Sequence, residues 1–183
     1  MTTERSVTQI ALFAALIAAL GLIPQLTLAF GVPITAQSLG VMLCGTVLGA
    51  WRGFLAVMLF VGLVALGLPL LAGGRGGLGV FASPTAGFLI GFPFSAFVAG
   101  AVTQRLRGVA VGWSAGIAAI LGGVVVLYLF GITGLAIVLD RSMGEAALLV
   151  TAFIPGDVIK AVLAGVITAA LYRARPYAVL SRA

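Results

Sequence analysis

Six long apolar runs, broken only by short polar or Gly/Pro punctuation, decide what this chain can fold into. They fall at roughly residues 6–22, 37–50, 53–71, 85–103, 109–133 and 146–172. A helix that crosses a bilayer needs about 20 mainly apolar residues. The second run is short by that measure, so it is expected to be tilted, broken or partly extended at its start. All six are continuous rather than alternating, which excludes a β-barrel. The whole chain carries ten basic and four acidic side chains, 8% of its 183 residues. A soluble domain is about 25% charged, and fourteen charges cannot cover a surface of this size in water. The expected fold class is therefore an all-α integral membrane protein of six transmembrane helices, one unit over residues 1–183, with the lipid bilayer as its solvent.

Orientation follows from arginine placement. With an even number of spans both termini lie on one side, together with Arg5, Arg52, Arg105, Arg107, Arg173, Arg175 and Arg182. The other side holds Arg75 and Arg141 with Asp140 and Glu145. Positively charged loops stay in the cytoplasm, so both termini are expected there. Trp51, Trp113, Tyr172 and Tyr177 fall near the same helix ends, where an aromatic belt belongs. The formal charge of +6 is thus a topology signal, and no nucleic-acid partner is expected. The first residues, "MTTERSVTQIALFAALIAALG", resemble a secretory signal, but their charged region is nearly neutral and membrane sequence follows throughout. They read as a retained first helix. The connection "PQLTLAFGVP", Pro24 to Pro33, is too apolar for an exposed loop and is expected to pack over helix ends or to begin the second helix early.

Chemistry has few places to reside. Cys44 is the one cysteine and histidine is absent, which leaves no internal disulfide and argues against a metal site. The carboxylates are Glu4, Asp140, Glu145 and Asp157. Asp157 lies in "FIPGDVIKAVLAG" with Lys160, the only lysine, three residues on and so on the same helical face. Counted from Ala146, the two sit about 17–21 Å along the helix at 1.5 Å per residue. Ionisable groups at such depth cost about 2.5–3.5 kcal/mol or more each. An internal ion pair, a proton relay and a ligand site are all open at this point. Pro155 and Gly156 favour a ligand site, because a disrupted membrane helix frees backbone groups toward a cavity. A membrane enzyme would have only Asp157 and Lys160 to work with, so catalysis is not expected.

"LAGGRGGLGVFASPTAGFLIGF", Leu71 to Phe92, is the second unusual stretch. Its glycines, with Gly74 and Gly76 flanking Arg75, let the backbone approach a ligand closely. Residues 75–83, Phe81 among them, read as a loop over an outward-facing pocket, with a plain flexible connector as the alternative. Gln37 and Thr35 at the entry to the second helix and Tyr128 in the fifth are further outer-side candidates; Tyr128 could stack on a ligand or anchor at the interface. Small residues also recur at four-residue spacing. The glycine ladders at Gly45, Gly49 and Gly53, at Gly87 and Gly91, and at Gly108, Gly112 and Gly116 suit helix packing inside the bundle. Ala11, Ala15 and Ala19, with Ala14 and Ala18 alongside and Leu12, Leu16 and Leu20 opposite, could instead offer a flat strip to another membrane subunit.

"VPITAQSLGVMLCGTVLGAWRG" from Val32 to Gly53, "GGRGGLGVFASPTAGFLIGF" from Gly73 to Phe92 and "PGDVIKAVLAG" from Pro155 to Gly165 resemble the signatures of the BioY family. These are biotin-binding S components of energy-coupling factor (ECF) transporters. The resemblance covers essentially the whole chain, with two departures: Ala86 stands where a second Gly is common and Phe88 where Tyr is common. It implies the six-helix S-component fold in a bacterial plasma (inner) membrane. It further implies biotin as transported ligand rather than cofactor, bound under the loops between helices 1 and 2 and between helices 3 and 4. Asp157 and Lys160 would hold the ureido ring, and Arg75 is a speculative partner for the valerate carboxylate. The alanine ladder matches the family's docking face for a transmembrane T component, which works with two ATPase subunits. A proton-coupled secondary carrier using Asp157, or an S component for a different vitamin, is the alternative reading.

Overall fold

The shortest apolar run sits at the centre of the molecule. In the computed structural model, which describes residues 3–182, helix α2 (Gln37–Leu48) is buried at every position but Leu39. It packs against α1 (Thr3–Leu20), α3 (Ala50–Ala65), α4 (Ala86–Arg105), α5 (Val111–Ile120) and α8 (Ile154–Ala174). A helix apolar on all sides is stable only when enclosed. Its 12 residues span about 18 Å, too little to cross the ~30 Å hydrocarbon core. Enclosed by its neighbours, α2 has no need to cross it, and the space its N-terminus leaves open becomes the pocket.

α5 continues through a π-helical stretch, Leu121–Val126, into α6 (Leu127–Val138), and α7 (Met143–Val150) continues through a 3-10 turn, Thr151–Phe153, into α8. Counting these as two rods gives six helices among the described residues. Three of them, residues 86–105, 111–138 and 143–174, are long and apolar enough to cross a membrane by themselves. A capping box starts α7, with Ser142 and Glu145 satisfying each other's backbone N–H groups.

The sequence reading carries the third helix to residue 71, but α3 ends at Ala65. Gly67 takes φ +103°, and Pro69 has no N–H to donate and disfavours helix at the residue before it. The chain then folds back onto the helix end, where Gly77 N–H donates to Val64 O at 2.7 Å. The Pro24–Pro33 connection does pack over helix ends. It forms a small antiparallel ribbon, β1 (Leu26–Thr27) with β2 (Pro33–Ile34), in which Leu26 pairs with Ile34. Phe30 from its tip meets Phe153 edge-on at 5.9 Å.

The opposite end is closed by close backbone contact. α2 turns into α3 at the single residue Gly49 (φ +84°), a conformation L side chains avoid. A Cβ on Gly100 of α4 would run into the backbone of Gly49 and Ala50. The chain's last turns cover this end: Val179, Leu180 and Ser181 are buried, and the Ser181 hydroxyl donates to Thr46 O. Arg182 donates to the carbonyls of Arg107 and Val109, and Arg5 to that of Tyr177, all within 3.2 Å. The first and last described residues therefore lie at the same end. The glycine ladders are internal contacts, except that Gly108 faces open space. α1 is part of the bundle, with Ala14 and Ile17 in its core.

Candidate ligand pocket

The charged pair stands at a helix start rather than inside an unbroken helix. Pro155 cannot donate to a carbonyl of the preceding turn, and the chain there is 3-10 from Thr151 to Phe153 before α8 begins at Ile154. Asp157 thus occupies the first turn of α8. It is 5% exposed. Lys160, one turn on, donates to Asp157 Oδ1 at 2.9 Å and to Ser38 Oγ of α2 at 2.9 Å. Ser38 is placed to donate to Asp157 Oδ1 at 3.4 Å, and Tyr128 of α6 donates its hydroxyl to Oδ2 at 2.8 Å. A buried ion pair is tolerable only when further hydrogen bonds satisfy both ions, and α2 and α6 supply them.

An ammonium has three donors and a carboxylate about four lone-pair sites. Lys160 uses two of its donors and Asp157 accepts three bonds. One strong donor and one strong acceptor site therefore remain, side by side, on the wall of a cavity.

That cavity encloses about 600 Å³ with its open mouth included. Val32, Pro33 and Ile34 of the ribbon, Phe88 and Phe92 of α4, and Phe153 make its apolar walls. Phe88 and Phe153 meet at 5.7 Å between ring centres. Arg75 reaches the cavity from the glycine-rich loop, its Nε donating to Ala72 O at 3.2 Å and Nη1 to Thr85 Oγ1 at 3.4 Å. Partial burial holds its guanidinium below the usual arginine range.

The other expected site residues divide. Gln37 borders the cavity, with both amide atoms engaged: it donates to Ile17 O at 3.1 Å and Leu70 O at 3.0 Å, and accepts from Ala72 N–H at 3.0 Å. It ties the end of α1 to the loop. Tyr128 does not border the cavity, and its hydroxyl is held by Asp157. Gly74 (φ +70°) turns the loop, and a Cβ on Gly76 would strike Leu68 O; both shape the loop without bordering the cavity. Phe81 lies outside it, in a surface groove between α4 and α6. The alanine strip also divides: Ala11, Ala15 and Ala19 are exposed, whereas Ala14 is buried and Ala18 half-buried against the core. Ser38 and Thr85 were missed by the sequence reading. Ser38 had a signal, as a hydroxyl beside Gln37 opening an otherwise apolar helix; Thr85 had none beyond its loop.

A helical membrane fold with a polar-headed, apolar-walled cavity at one end has the form of a membrane-embedded receptor for a small molecule. More particularly, the chain belongs to the BioY family, whose model matches residues 1–177. It is 53% identical to a biotin transporter BioY of Rhodobacter capsulatus, covering 98% of this chain and 99% of the relative. A biotin transporter BioY of Rhizobium etli is 55% identical over 90% of this chain and 91% of its own. Among solved structures, the S component for biotin from an ECF-type ABC transporter superposes with a TM-score of 0.88 at 32% identity, covering 94% of this chain and 95% of that one. These relatives are transporter components, not enzymes.

Proposed function

We propose that this chain is the biotin-capturing membrane subunit of a vitamin uptake transporter in a bacterial plasma membrane, with both termini cytoplasmic. The observation that carries the reading is the donor and the acceptor left over at Lys160 and Asp157. A ureido group presents a carbonyl to the ammonium and an N–H to the carboxylate. If its second N–H also binds Asp157, the 3.4 Å bond from Ser38, the longest in the cluster, is the one released. The apolar walls suit the thiophane ring and aliphatic chain, and the valerate carboxylate points outward to Arg75. Gln37, Gly74 and Gly76 hold the loop that carries Arg75.

The chain contains no GxxxxGK[ST] phosphate loop, so the energy is supplied by two ATPase subunits through a T component. The exposed strip of Ala11, Ala15 and Ala19 is where the T component docks, since small side chains let another helix approach closely. Titration calorimetry of the purified, detergent-solubilised protein tests the assignment. Submicromolar biotin binding is expected, abolished by Asp157→Asn or Lys160→Ala and weakened about tenfold by Arg75→Ala. Folded wild type that ignores biotin would sink the reading. Uptake driven by a proton gradient, in liposomes lacking any ATPase, would replace it with a secondary carrier.

A further inference from the structure

Between α5 and α8 a long groove runs down the outside of the bundle. Its floor is backbone: a Cβ on Gly165 would come within 2.7 Å of Gly112 O, so the helices nearly touch. Trp113 and Ile117 form one wall and Val158, Val162 and Val166 the other, all at least 42% exposed. The groove encloses about 1430 Å³ with its open side included. Close helices and apolar walls alone describe any lipid-facing surface, but this groove ends on a charge. Arg173 lines its last turn, is exposed, and has no hydrogen-bond or ion-pair partner among the described residues.

We infer that the groove is a site for an anionic phospholipid, with one acyl chain along the valines and the phosphate on Arg173. From Val158 to Arg173 is fifteen residues, about 22 Å at 1.5 Å per residue. That is one leaflet's share of the ~30 Å hydrocarbon core plus part of the headgroup region. The Trp113 indole lies where an amphipathic ring favours the interface. A basic side chain at the end of a groove between membrane helices suits an anionic headgroup. A second copy of the chain fits less well. α5 has no carboxylate, and the only one on α8 is Asp157, committed to the pocket. A two-fold contact through this face would set Arg173 against its own copy.

Native mass spectrometry of the whole chain, purified and incubated in turn with phosphatidylglycerol and phosphatidylcholine, tests the site. One retained phosphatidylglycerol per chain is expected, at least fivefold above phosphatidylcholine. Arg173→Ala should lower that retention at least fivefold, while Arg173→Lys should keep most of it. Ala170→Trp, at an exposed position in the groove, should displace the lipid with the thermal unfolding midpoint unchanged. Equal retention of the two lipids, or Arg173→Ala behaving as wild type, overturns the inference. So does a dimer that Ala170→Trp dissociates, which would make a second copy the occupant.

Discussion

The two ends of this bundle are built differently. At the end where Arg5 meets Tyr177, glycines bring backbones into contact, α2 reverses into α3 at one residue, and a buried tail covers the junction. At the other end α2 stops short, the last rod is interrupted at Thr151–Phe153, and loops and a two-stranded ribbon complete the wall around polar groups. Helix packing in membranes rests on close van der Waals contact, and contact of that kind leaves no room for a ligand. The pocket exists where regular structure gives out, because only there can polar groups face a cavity rather than each other. The closed end should therefore govern stability and the open end affinity.

The largest expected effect separates these roles at the open end. Replacing the pair together, Asp157→Leu with Lys160→Met, should abolish biotin binding, a loss above about 4 kcal/mol or 1,000-fold by calorimetry. The unfolding midpoint should hold or rise, since exchanging a buried ion pair for apolar residues is often neutral or stabilising. A collapse of stability would show that the pair serves the bundle instead. At the closed end Gly100→Val drives a side chain into the Gly49–Ala50 backbone. A loss of about 3 kcal/mol is expected, lowering the midpoint by about 10 °C, with biotin affinity of the folded fraction within threefold of wild type. Tyr128→Phe removes one hydrogen bond to a carboxylate, worth about 1.5–3 kcal/mol. Affinity should fall roughly tenfold or more, because the carboxylate is no longer aimed. Ser181→Ala, which deletes the tail's bond to Thr46 O, should cost about 1 kcal/mol of stability and leave the titration unchanged.

Hydrophobic runs reveal helices well because lipid imposes one rule along the whole chain. The six rods, the shortness of α2 and the pairing of Asp157 with Lys160 were all legible for that reason. What the sequence concealed depends on which backbones meet. Leu66 to Leu71 is apolar enough for helix, yet Gly67 and Pro69 divert it. Phe81 belongs to the loop the pocket needs, but it faces a different groove. Gln37 looks like a ligand-binding amide until its three backbone partners are in place. Ala14 and Ala18 are chemically identical to Ala11 and Ala15, and only the position of the other helices tells the inward pair from the outward one.

The enclosure of α2 also sets an order on biogenesis. α2 and α3 are joined through one residue, and α2, the arm made first, is too short to span alone. α8 and the tail, which cover that arm with Lys160, Val179 and Leu180, are made more than a hundred residues later. Until then Ser38 has neither Asp157 nor Lys160 to bind, and the arm lacks part of its cover. The nascent protein therefore has to shelter its own future centre, and the capacity to hold a ligand arrives only with the final helix.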